Sequence, residues 1–87
     1  MTEDNWYVYA ILSAVNGFIY VGMSQNVEKR VKEHNAGKTK STKAYQPWLL
    51  IYTEAVENRY KAREREKYLK TTTGKNFLRN LQKISAP

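Results

Sequence analysis

Five polar side chains of this 87-residue sequence fall on faces that should turn inward: Tyr9, Tyr20, Arg30, His34 and Glu66. Two phenols, a guanidinium, an imidazole and a carboxylate are the groups that phosphodiester cleavage uses. That chemistry needs an oxygen ligand for a hard divalent cation, a positive group facing the developing phosphorane charge, and a group that activates water. Glu66, Arg30 and a Tyr or the His can fill those three roles. One carboxylate is a sparse ligand set, but magnesium keeps several waters and takes phosphate oxygens as ligands.

The tyrosines must be positioned by strands. "WYVYAIL" and "GFIYVGM" are rich in the β-branched and aromatic residues that suit a pleated, half-buried surface, and Asn16-Gly17 between them signals a hairpin. With Asn16 and Gly17 as a two-residue loop, paired positions sum to an odd number, and a four-residue loop keeps that parity. Tyr9, Ile11 and Val15 then share a face with Phe18, Tyr20 and Gly22.

The other three groups need helices. "SQNVEKRVKEHNAG" has cap formers at Ser24 and Asn26 and Gly37 at its end, which predicts a helix over about 27–36. Val27 and Val31 set its inward face, and a wheel puts His34 between them and Arg30 beside them, with Lys29, Lys32 and Glu33 on the far side. "KTKSTKAYQP" is a polar basic loop. "WLLIYTEA" is a third strand, its apolar start suggesting burial on both faces. A second helix runs from Asn58 to about Lys70, where Glu66 lies within roughly 60° of the inward Ala62 and Leu69. Gly74 marks a break before a short third helix, and the last three residues should fray. The bland alternative is an Arg30–Glu66 structural pair, with His34 satisfied by a carbonyl and the tyrosines as core packing.

The element order ββαβαα makes an α/β fold: a small, three-stranded, largely antiparallel sheet flanked by helices. The length suits one domain, 1–87, with a core over about 6–82. Forty-one per cent apolar residues can form that core, and with no cysteine neither a disulfide nor a thiolate metal site supports it. No apolar run approaches the roughly 18 residues of a membrane helix, so a soluble, cytoplasmic protein with no membrane contact is expected. Fifteen Lys and Arg against eight Asp and Glu give +7, a field that concentrates phosphate-bearing partners.

Four elements in order resemble the GIY-YIG nuclease superfamily, in particular its small single-domain Uri-type endonuclease-like members. They are "YVY" (Tyr7, Val8, Tyr9), "YVG" (Tyr20, Val21, Gly22), Arg30 with His34 one turn later, and Ala62 with Glu66 in "AREREKYLK". The resemblance runs from about Trp6 to Leu78 and implies a DNA endonuclease with one Mg2+, or Mn2+ in its place, held by Glu66. It implies Tyr20 as general base toward water, Tyr9 as the group that orients water or phosphate, Arg30 on the scissile phosphate and His34 in positioning or proton transfer. Gly22 suits close backbone approach where a side chain would obstruct substrate. Tyr7 departs from the family pattern, which has glycine there, and faces the same side as Tyr9.

For substrate grip the expected residues are Lys38, Lys40 and Lys43 in the loop and Arg63, Lys67, Lys70, Lys75 and Arg79 on the helices. Since the 87 residues include no separate DNA-reading module, cutting should be structure-dependent or low in sequence specificity, as in DNA repair or recombination. The alternatives are a non-catalytic nucleic-acid-binding domain and a protein-interaction domain.

Overall fold

A computed structural model describes residues 5–85, without the side chains at 83–85. Strands β1 (Trp6–Ser13), β2 (Ile19–Ser24) and β3 (Trp48–Val56) and helices α1 (Val27–Asn35), α2 (Arg59–Leu69) and α3 (Thr72–Ser85) follow in the order ββαβαα. Of the residues expected to fray, Ser85 is helical, and 86–87 lie outside the described residues.

The sheet order is β2-β1-β3 and both pairings are antiparallel. The hairpin uses the four-residue loop 14–17, closed by Ser13 N–H donating to Phe18 O at 2.8 Å. Ser13 Oγ accepts from Val15 N and Asn16 N and donates to Tyr45 O, while Gly17 supplies the positive φ of 78° that ends the turn. The parity argument survives: Tyr9 pairs with Gly22 and Ile11 with Tyr20.

The apolar start of β3 misled. β1 is the central strand and β3 an outer one, and Leu49 and Leu50 stand 55% and 47% exposed rather than buried on both faces. A register shift between Ala10 and Ile11 lets β3 follow the twist at that edge.

The two sheet faces carry separate cores. Tyr9, Ile11 and Trp48 pack with Tyr20, Val27, Val31 and Tyr45 beneath α1. Val8, Ala10, Ile19 and Val21 pack with Ala62, Leu69 and Leu78 beneath α2 and α3. α1 is capped by Asn26, whose side chain accepts from Lys29 N, and α2 by Asn58, which accepts from Lys61 N. Asn35 joins the end of α1 to the start of β3, accepting from Trp48 N at 2.6 Å and donating to Trp48 O at 3.0 Å.

Gly74 is not a break. α3 begins at Thr72 and runs fourteen residues, with Thr71 Oγ1 accepting from Gly74 N. Gly74 is buried where α3 crosses the end of α2: a Cβ there would stand 2.5 Å from Leu69 Cα and would also strike Tyr68 O. The position requires glycine for close approach, not for a turn.

Candidate active site

Tyr9 is the hub. From β1 its ring crosses the β2 backbone at Gly22, where a Cβ would stand 2.5 Å from the hydroxyl oxygen and 2.7 Å from Cζ. The absent side chain of Gly22 therefore makes room for the tyrosine ring, not for substrate. The Tyr9 hydroxyl lies 2.9 Å from His34 Nε2, and His34 Nδ1 lies 2.8 Å from Thr42 Oγ1. Tyr9, His34 and Thr42 are each 1% exposed or less. His34 is thus satisfied by two hydroxyls rather than by a carbonyl.

Around this buried line stand the other candidates. Tyr20 meets the His34 ring edge-on, with centroids 5.0 Å apart, and the Trp48 ring at 6.4 Å. Arg30 donates to Glu33 at 2.9 Å and stands close enough to Tyr9 to favour its phenolate. Glu33 therefore bends back toward Arg30 instead of pointing away, because three residues along a helix brings the two side chains together. Arg30 does not pair with Glu66.

Glu66 belongs to the other side of the sheet. α2 lies on the Val8–Ala10 face, so the two helices do not share the face that the tyrosines occupy. The carboxylate is close enough to disfavour a Tyr9 phenolate, and it is 14% exposed. Its partners are on its own helix: Arg63 Nε at 3.4 Å from Oε1 and Lys70 Nζ at 3.4 Å from Oε2. A second partly buried carboxylate, Glu54 on β3, binds Tyr52 and Arg65 and ties that strand to α2. Helical periodicity could not find it.

Burial first, and the neighbouring Tyr20 second, push Tyr9 up to about 12; Glu66 adds to the shift and Arg30 opposes it. Tyr9 therefore keeps its proton at neutral pH and is no standing base. Burial, helped by Arg30, holds His34 below the usual imidazole range, so the ring is neutral there.

A family model described as the GIY-YIG catalytic domain matches residues 5–80. The chain belongs to the GIY-YIG family. A UPF0213 protein of Bacillus licheniformis is 37% identical over 81 residues, covering 92% of this chain and 84% of its own. One of Clostridium perfringens is 43% identical over 68 residues, covering 77% and 72%. The solution NMR structure of a UPF0213 protein from Bacillus halodurans superposes with a TM-score of 0.54 at 31% identity, over 88% of this chain and 84% of that one. Membership of a nuclease family makes nucleic acid the substrate class.

In this GIY-YIG domain Tyr7 stands apart from the cluster. It shares the Tyr9 face but lines a groove of about 600 Å³ with Val27, Val31, Leu50 and Thr53, a groove that none of the five central residues lines. The grip residues divide. Lys38, Lys40 and Lys43 are exposed on the loop that carries Thr42. Arg63 and Lys70 hold Glu66, Lys67 is exposed on α2, and Lys75 is half-buried on α3, where Arg79 reaches the hairpin turn at Gly17 O. No helix among the described residues is long and apolar enough to cross a membrane.

Among the described residues no three His, Cys, Asp or Glu gather as a metal cage. Glu66 fits a hard cation that keeps most of its waters, as a single oxygen donor. Arg63 and Lys70, with side chains 54% and 52% exposed, have room to swing aside. Thr42, Asn35 and Trp48 escaped the sequence reading because no period marks a polar loop or its anchors.

Proposed function

We propose that this GIY-YIG domain is a metal-dependent endonuclease that hydrolyses DNA phosphodiesters with low sequence specificity or a preference for structure. The observation that supports it most is the gathering of Tyr9, His34, Tyr20 and Arg30 at one point, with the Glu66 carboxylate near enough to act on Tyr9 through its charge. Packing alone does not call for so many polar groups at one point. Arg30 grips the scissile phosphate and faces its developing charge. Tyr20, once its own proton has passed to solvent, takes the proton of the attacking water, while Tyr9 orients that water or the phosphate and His34 holds Tyr9. Glu66 holds Mg2+, or Mn2+ in its place; when bound, the cation polarises the phosphate and stabilises the leaving oxygen. The loop lysines and the basic residues of α2 and α3 take the flanking backbone.

The test is nicking of plasmid, branched and single-stranded DNA with Mg2+ or Mn2+, for wild type, Glu66→Ala and Arg30→Ala. Both variants should keep the wild-type circular dichroism spectrum and lose nicking by about 100-fold or more, as expected when a group acting in the transition state is removed. Nicking equal to wild type in Glu66→Ala would refute the assignment.

One observation favours a second reading, a nucleic-acid-binding domain without turnover: both Glu66 oxygens already have cationic partners. That domain would bind DNA in a salt-sensitive way, indifferent to metal and to Glu66→Ala.

A further inference from the structure

His34 has a neighbour that no catalytic role has claimed. Thr42 begins the short turn Lys43–Tyr45 in the basic loop, and its side chain is buried against the imidazole edge that faces away from Tyr9. Three bonds lock it there: Trp48 Nε1–H donates to Thr42 O at 2.9 Å, Tyr45 N–H donates to the same oxygen, and Thr42 N–H donates to Thr39 O at 3.1 Å.

We infer that Thr42 is a positioning residue which fixes the tautomer of His34, and through it the direction of the Tyr9 hydroxyl. A hydroxyl has one proton to give. That of Thr42 points to Thr39 O, at 3.4 Å, so Oγ1 presents a lone pair to His34 and the 2.8 Å contact is Nδ1–H donating. A neutral imidazole then has no proton on Nε2, which accepts the Tyr9 O–H.

The far side of the line agrees with this direction. Arg30 can only donate, and its guanidinium stands beside Tyr9. A lone pair of Tyr9 therefore faces Arg30 while its proton faces His34. The site side of Tyr9 is left as an acceptor, suited to a water or a metal-bound water and unsuited to a phosphate oxygen. The inference rests on the nuclease reading for its consequence in catalysis and on the hydrogen-bond geometry alone for the tautomer.

The test pairs imidazole nitrogen NMR with nicking rates in wild type, Thr42→Ser and Thr42→Val. Wild type and Thr42→Ser should show a protonated Nδ1 and a bare Nε2 on His34, with nicking within about threefold of each other. Thr42→Val should shift the proton toward Nε2 and slow nicking by about 10- to 100-fold, the range seen when an outer-shell partner is removed. A wild-type His34 protonated on Nε2 would overturn the inference without any variant, and so would a Thr42→Val protein with unchanged tautomer and rate. Wild type that shows the expected tautomer but cuts no DNA would fail the nuclease reading alone.

Discussion

Tyr9 and Gly22 occupy one space: the tyrosine ring lies where the side chain of residue 22 would be, 2.5 Å from hydroxyl oxygen to the missing Cβ. Gly22→Ala must displace the ring and with it the bond to His34. We expect a loss of about 1–3 kcal/mol, the usual cost of overpacking a tight core. Tyr9→Ala removes the obstacle, so Gly22→Ala should cost far less in that background. Urea unfolding of the two single variants and the double gives the coupling energy, and additive effects would show that the ring moves aside freely.

Tyr9 and its partner His34 make stability depend on pH at both ends. His34 has a folded pKa below its unfolded value, so the unfolded chain binds a proton that the folded one refuses. Stability should be complete above about pH 7 and fall as pH drops through about 6.5, the ordinary histidine value. Tyr9 is raised to about 12 from 10.0, so the unfolded chain releases its proton first, and stability should fall as pH rises from 10 toward 12. Urea midpoints across pH check both limbs. Tyr9→Phe should make the alkaline limb shallower without abolishing it, since Tyr52 is shifted in the same direction.

Arg63 and Lys70 should restrain Glu66 without stabilising the fold much. Both cations are half exposed, so Arg63→Ala or Lys70→Ala should cost less than about 1 kcal/mol. Each removes a cation that competes for the carboxylate, so calorimetric titration with Mn2+ should show tighter binding than in wild type. Weaker binding would mean that the basic side chains hold Glu66 ready rather than occupied.

Gly74→Ala is expected to be the most damaging single-methyl change. Its added carbon meets backbone atoms of Tyr68 and Leu69, which cannot rotate away as a side chain can. The thermal midpoint should fall by several degrees, as a loss of about 1–3 kcal/mol implies for a domain of this size.

Much of the site was legible because it depends on short periods. The pairing of Tyr9 with Gly22 follows from a two-residue repeat that any even hairpin loop preserves, and the inward turn of His34 and Glu66 follows from a 3.6-residue repeat. What escaped depends on contacts far apart in the chain. No local pattern says which sheet face α2 takes, so the wheel could turn Glu66 inward without telling that α2 covers the face away from the tyrosines. Leu49 and Leu50 read as a buried run because a strand's neighbours cannot be counted from its own residues. Gly74 read as a break because glycine ends helices often, and a close crossing of two helices has no one-dimensional mark. Thr42 lay in a loop whose composition spoke only of charge.

The division of the site between two sheet faces has a consequence for the chain while it is being made. The first 47 residues contain both tyrosines, Arg30, His34 and Thr42, together with the loop lysines, whereas Glu66 follows only after β3. The face beneath α1 draws Trp48 from the start of β3, and the other face cannot close until α2 and α3 arrive. A growing or truncated chain therefore displays its phosphate-attracting charge before it possesses the carboxylate. On the proposed chemistry, such a chain clings to nucleic acid without cutting it, and cleavage is gained only with completion of the second core.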